Sequence, residues 1–333
     1  MNLTETIKNQ ILILDGAMGT MIQRHNLTEE NYRGERFKDF HQSLKGNNDL
    51  LSITQPEIIK QIHLDYLKAG ADIIETNTFN ANRISMIDYN MVDWVEELNR
   101  SSAKLALEAV VEITAQNPER PRFVAGSIGP TNRTASISPD VNDPGFRNVD
   151  YDELMETYKE QTVPLLQEGV HAILVETIFD TLNAKAAFFG VMEAMDETGI
   201  QVPLMASGTI TDRSGRTLSG QTTEAFLISL SHIPLLSIGL NCALGATDMI
   251  PYIETLAYHS PFYVSVYPNA GLPNAFGGYD ESPEIMLENV KPMIENGWVN
   301  IIGGCCGTTP EHIKAIADFA KDFQTRKLPE FAL

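Results

Sequence analysis

The chain has 333 residues, 24 of them Lys or Arg and 44 Asp or Glu, so its formal charge is −20. With 43% apolar and 20% charged residues it can bury a core without staples, and disorder is a poor reading. The acidic surplus argues against nucleic acid or an anionic membrane surface as partner, no apolar run is long enough to span a bilayer, and the start MNLTETIKNQILILDG lacks the features of a secretory signal.

In chain order, short apolar runs alternate with helical patterns. The first run is ILILDGA (11–17), followed by a long interval that contains the charged stretch HNLTEENYRGERFKDF. A connection of that length suits a functional lid, or equally a solvated insertion. Residues 56–69 then place Ile59, Ile62, Tyr66 and Ala69 on one helical stripe. ADIIETNTF (71–79), a helical stretch over 92–115 and FVAGSIGP (123–130) come next. A second helical stretch over 150–168, interrupted by Pro164, precedes AILVETI (172–178). The runs VPLMASGTI (202–210), LLSIGLNCA (235–243) and FYVSVYPNA (262–270) follow. Ser282-Pro283-Glu284 reads as a cap, a proline at the first helical position and an acid in the first turn. VNIIGGCCG (299–307) is the eighth run, and Thr309-Pro310-Glu311 repeats the helix-start signal ahead of Ile313, Ile316, Ala317 and Ala320.

Continuous apolar runs suit strands buried on both faces, as in a parallel sheet. Eight strand–helix units predict an α/β fold, a single (β/α)8 TIM barrel over 1–325 with a long insertion after the first strand. Residues 326–333 read as a C-terminal tail or the start of a linker. A doubly wound open sheet is the alternative architecture.

In such a barrel, chemistry belongs at the C-terminal strand ends. There the chain places Asp15-Gly16, Glu75-Thr76-Asn77-Thr78, Glu176-Thr177, Ser207-Gly208-Thr209, Asn241-Cys242, Asn269-Ala270-Gly271 and Gly303-Gly304-Cys305-Cys306-Gly307. All three cysteines fall in this set, so Cys242 could face Cys305 and Cys306 across the mouth. Adjacent strand residues point to opposite faces. Two neighbouring thiolates therefore reach one ion only where the backbone leaves strand geometry, a freedom expected from Gly303, Gly304 and Gly307. Three thiolates with a fourth position open suit a catalytic Zn²⁺. Core packing, a vicinal disulfide, copper and an iron–sulfur cluster are the competing readings. With only three cysteines there is no disulfide framework, and the cytoplasm is the expected compartment.

An open zinc on three thiolates is a poor centre for activating water but can hold a substrate thiol as a nucleophilic thiolate. The expected chemistry is attack by a substrate sulfur on an electrophilic carbon. A carboxylate at Glu176 could hold a substrate ammonium, or make a structural hydrogen bond. The Asp15-Gly16 turn could offer N–H groups to a carboxylate, or be an ordinary turn. Asn269 is an amide near the proposed ion. The seven histidines read as surface or core residues.

The segments DGAMGTMIQ (15–23), GNNDLLSITQP (46–56), ETNTFNAN (75–82), GSIGPTNR (126–133), LVETIFD (174–180), GLNCALG (239–245), PNAGLPN (268–274) and GGCCGTTPEHI (303–313) resemble the homocysteine S-methyltransferase family. The similarity covers nearly the whole chain and looks closest to the homocysteine-binding module of cobalamin-dependent methionine synthases. It implies zinc on Cys242, Cys305 and Cys306, with homocysteine bound through its sulfur. It implies an amino-acid end held near Asp15, Gly16 and Glu176, with Ser207 as a further contact and Asn269 as a labile fourth ligand when substrate is absent. The implied methyl donor is methylcobalamin, supplied by cobalamin- and folate-binding modules in cis or in trans. S-methylmethionine or betaine used by a stand-alone enzyme is the alternative. The chain lacks the Asp-x-His-x-x-Gly stretch that supplies a histidine to cobalamin, so any corrinoid must come from elsewhere. Its start at Met1 and end at Leu333, without a tag, lean toward a separate subunit.

Overall fold

A computed structural model describes residues 2–211, 214–275 and 277–329. A one-turn helix, α1 (Leu3–Thr6), precedes strand β1 (Leu12–Ile13). The long interval after β1 holds three short helices, α2 (Met18–Arg24), α3 (Glu29–Arg33) and α4 (Leu51–Thr54). Then follow α5 (Pro56–Ala69), β2 (Ile73–Glu75), α6 (Arg83–Met86), α7 (Val95–Gln116), β3 (Phe123–Ile128) and α8 (Tyr151–Glu168). The chain continues through β4 (Ala172–Ile178), α9 (Thr181–Thr198), β5 (Leu204–Gly208), α10 (Thr223–Leu230), β6 (Leu235–Gly245) and α11 (Ala246–His259). It ends with β7 (Tyr263–Asn269), α12 (Pro283–Glu295), β8 (Ile301–Ile302) and α13 (Pro310–Ala320).

Each of the eight predicted runs holds one strand, with β6 extending two residues past its run to Gly245. The strands form one parallel sheet in the order β1-β8-β7-β6-β5-β4-β3-β2. The Leu14–Ile73 bridge closes it, giving the expected (β/α)8 barrel. This closing seam is thin. Two carboxylates stand in for carbonyls there: Asp72 accepts from the Ile13 N–H and Asp15 from the Glu75 N–H, each at 3.0 Å.

Period-two alternation sorts the strand residues into two cores. Residues such as Ile13, Ile74, Val124, Ile173, Ala206 and Val264 pack outward under the helices. Leu12, Leu14, Ile73, Phe123, Ala125, Leu174, Met205, Tyr263 and Ile301 fill the barrel itself. Leu3 and Ile7, on and just after α1, belong to this inner core and plug the N-terminal end of the barrel, a role the sequence reading did not assign.

The capping signals act as expected. Ser282 accepts from the Ile285 N–H at the start of α12, and Thr309 and His312 form a capping box on α13. Pro164 does not interrupt its helix. α8 runs unbroken through it, because Leu154, Tyr158, Gln161 and Leu165 anchor the same face on both sides of the proline. In the insertion, the Arg36 guanidinium lies 4.5 Å from the Trp94 ring centre and pairs with Glu97, tying the segment to the start of α7. Of the expected tail, 330–333 lie outside the described residues. Arg326 is buried, and its guanidinium donates to the carbonyls of Ala257, Ser260 and Phe262. No described helix is long and apolar enough to cross a membrane.

Candidate active site

The three cysteines meet at the C-terminal mouth. Their sulfurs all lie within 4.8 Å of one another, with Cys242 Sγ and Cys306 Sγ 3.9 Å apart. Among the described residues they are the one group of His, Cys, Asp or Glu side chains so placed, and no histidine joins it.

Local backbone explains how they converge. Pairing of β6 with β7 slips between Asn241 and Gly245, and Cys242 and Ala243 both sit in the left-handed region, with φ of 60° and 57°. That bulge turns Cys242 out of the strand direction and toward β8. Beyond β8 the chain leaves strand geometry. The Cys305 N–H donates to Pro268 O (2.8 Å), the Cys306 N–H to Asn269 Oδ1 (3.1 Å) and the Gly307 N–H to Thr20 Oγ1 (3.0 Å). Of the three neighbouring glycines only Gly307 uses a positive φ, 81°. Gly303 and Gly304 are there because a Cβ would strike Leu14 and Thr308. The expected glycine freedom is thus conformational at one position and a matter of close approach at the other two.

The thiols are electrostatically interdependent. Hydrogen bonds from Cys242 and then Cys305 draw the Cys306 thiol down to about 3. Its bonds to Cys242 and Cys306 push Cys305 well up. The bond from Cys305 pulls Cys242 down, but its own bond to Cys306 and burial outweigh that and hold it near 11. A cation among the sulfurs would relieve this competition by stabilising every thiolate at once.

Near the sulfurs lies a cluster of three carboxyls, with Asp15 and Glu176 buried and Glu75 half-buried. Glu176 accepts from Ser127 Oγ and, at 3.4 Å, from Tyr267 OH. Asp15 and Glu75 complete it. Burial raises all three carboxyls, with mutual repulsion adding to it at Asp15 and Glu75. A ligand ammonium would offset that repulsion. Gly16 sits where a Cβ would lie 2.7 Å from Thr308 Oγ1 and 2.8 Å from the Tyr66 ring. The Asp15 and Ala17 N–H groups are engaged by Ile73 O and Thr308 Oγ1, and among the described residues the Gly16 N–H has no partner. One amide, not several, is therefore available at this turn. Ser207 donates to Asn241 Oδ1 at 2.8 Å, and Asn269 is tied to the cysteine loop through Cys306.

The structure thus gathers Asp15, Gly16, Glu176, Ser207 and Asn269 around Cys242, Cys305 and Cys306. Sequence reasoning placed Glu75 and Asn241 at strand ends without giving them a role, and it missed Tyr279. Glu75 had a usable signal, as the inward residue ending the second apolar run. Tyr279, whose hydroxyl in the β7–α12 loop helps to lower the Cys306 thiol, had none.

Residues 12–320 match the model of the homocysteine S-methyltransferase family. The chain belongs to that family. The methyltransferase also superposes on the homocysteine methyltransferase MmuM of Escherichia coli. For the metallated form the TM-score is 0.73 at 22% identity, over 95% of this chain and 98% of that one. For the oxidised form it is 0.71 at 21% identity, over 92% and 95%. At that identity the likeness speaks for the fold, and the family match for the methyltransferase activity.

Proposed function

We propose that this enzyme makes methionine by methylating homocysteine, with zinc held by Cys242, Cys305 and Cys306. The observation that carries the reading is the convergence of three sulfurs from two strand ends near a cluster of carboxyls. The donor set fits the ion: a tetrahedron with Zn–S bonds of about 2.3 Å has edges of about 3.8 Å, and the Cys242–Cys306 separation is 3.9 Å. Bound there, zinc would supply the chemistry of keeping a substrate thiol deprotonated and nucleophilic.

The chain's own residues do the rest. Glu176, backed by Asp15 and Glu75, receives the homocysteine ammonium. The free Gly16 N–H receives its carboxylate, Ser207 lies alongside, and Asn269 serves as the labile fourth ligand before substrate arrives. Holding both ends fixes the sulfur for in-line attack. The sulfur lone pair forms the new S–CH3 bond while the bond from methyl to donor breaks, and the donor keeps that electron pair.

For the donor we propose methylcobalamin on a partner domain, with folate- and cobalamin-binding modules joined in cis or in trans. The rim supports a large partner. Ile87, Val141, Phe146, Leu182, Leu218 and Leu272 stand exposed on its loops and first helical turns. The second reading, a stand-alone enzyme using S-methylmethionine or betaine, draws on the near-complete coverage of the E. coli MmuM chain. Turnover measured with each donor separately decides between them. Methionine from methylcobalamin alone supports the first reading, and methionine from a small donor alone replaces it with the second. A Cys305→Ser variant should lose both metal and turnover. If it kept zinc, the ligand assignment would be wrong.

A further inference from the structure

Asn241 is fully buried, and every hydrogen-bonding position of its side chain is used. Its Oδ1 accepts from Ser207 Oγ at 2.8 Å and from the Thr177 N–H at 3.1 Å. Its Nδ2 donates to Thr177 Oγ1 at 2.9 Å and toward Cys305 Sγ at 3.9 Å. Two of these bonds clamp Thr177, the residue after Glu176. Thr177 holds a φ of 53°, a left-handed conformation that a β-branched residue adopts only when its surroundings impose it. At the same place the β4–β5 register shifts, between Val175 and Ile178. The turn that aims Glu176 into the mouth is therefore held by the same amide that touches the Cys305 sulfur.

We propose that Asn241 is a positioning residue that couples the two ends of the substrate site. Its oxygen and one N–H set the turn behind the ammonium-binding carboxyl. Its other N–H supports the Cys305 thiolate as a metal ligand. The inference rests on the zinc and homocysteine reading above. A donor to a ligating sulfur both orients it and tempers its charge, and loss of such an outer-shell partner lowers metal affinity about 10–100-fold.

The test uses the full chain and two binding measurements, zinc by competition with a chromophoric chelator and homocysteine by calorimetry on zinc-loaded protein. Asn241→Ala should lose about 10–100-fold in zinc affinity and about tenfold in homocysteine affinity through the relaxed turn. Asn241→Asp keeps the acceptor oxygen but sets a charge beside a thiolate, so its zinc loss should exceed that of the alanine variant. The discriminating variant is the double substitution Asn241→Ala with Thr177→Gly. Glycine takes the positive φ without help, so homocysteine affinity should recover while zinc affinity stays low. A merely structural role for Asn241 would not separate the two in this way. Unchanged zinc affinity in both single variants, or a double variant that recovers neither or both, overturns the proposal. Cys305→Ser is the control for the underlying reading: if it loses zinc while Asn241→Ala does not, the coupling fails and the zinc site stands. If Cys305→Ser keeps zinc, the zinc reading falls and the coupling with it. Should Asn241→Ala not fold, Asn241→Asp against Thr177→Gly alone carries the same comparison.

Discussion

Under the proposed reading, the charge on Glu176 is what separates an amino thiol from a plain one. Glu176→Gln keeps the shape and one acceptor oxygen, for either Ser127 or Tyr267, but removes the charge that the proposed reading sets against the ammonium. A hydrogen bond to a charged group contributes about 1.5–3 kcal/mol, so homocysteine affinity should fall about 10- to 150-fold, seen as a raised KM with a smaller change in kcat. A simple alkyl thiol lacking the amino group should bind the variant and the wild type equally. Equal loss for both thiols would mean that Glu176 acts on the sulfur end instead. The cysteines were legible in the sequence because their residue type is rare and all three fell at strand ends. Glu75, Asn241 and Tyr279 were harder to read, because a carboxyl, an amide and a phenol at a loop are ordinary until neighbours from other strands give them work.

Among the elements, α1 and the insertion after β1 are where local sequence told least. LTET is too short to announce a helix, and its value lies in delivering Leu3 and Ile7 to a barrel end that closes far along the chain. Ile7→Ala should cost about 2–5 kcal/mol, as other buried large-to-small changes do, lowering the urea midpoint without changing zinc content. An unchanged midpoint would show that the plug is dispensable. In the insertion Glu29 is the organiser. It accepts from the N–H groups of Leu44 and Lys45, from Ser43 and from Arg33. Burial pushes its carboxyl up, but those bonds outweigh it and bring it down to about 2 from an ordinary 4.5. The folded value is the lower one, so this stabilisation is complete above pH 4.5 and is lost as pH falls toward 2. Proteolysis by an acid-active protease should open residues 25–47 progressively across that window, and Glu29→Gln should flatten the dependence. The runs 123–130 and 172–178 were easy by contrast, since a buried parallel strand writes itself as uninterrupted apolar sequence.

For the molecule as a whole, the eight runs and the helix-start signals pointed to a barrel with a doubly wound sheet as the alternative, and the Leu14–Ile73 bridge that decides between them, like the plug, is a property of the assembled barrel. Because the three sulfurs converge only in the folded chain, the proposed ion should stabilise by mass action, by up to about 4 kcal/mol at a free concentration 1,000 times its dissociation constant. Chelation should lower the melting temperature of the wild type and leave Cys305→Ser unmoved. A melting temperature insensitive to chelator would argue for a cysteine cluster with no resident metal.

The seam between β1 and β2 is the clasp of this hoop, and one of its fastenings is Asp15, which holds the Glu75 N–H. The carboxyl that would greet the substrate is thus also part of the closure of the ring. Reciprocity follows: if homocysteine binding secures Asp15, it must tighten the clasp, and whatever loosens the first strand must weaken homocysteine by the same free energy. The Glu75 amide should accordingly exchange its hydrogen more slowly when homocysteine is bound, which makes one backbone proton at the rim a gauge of occupancy.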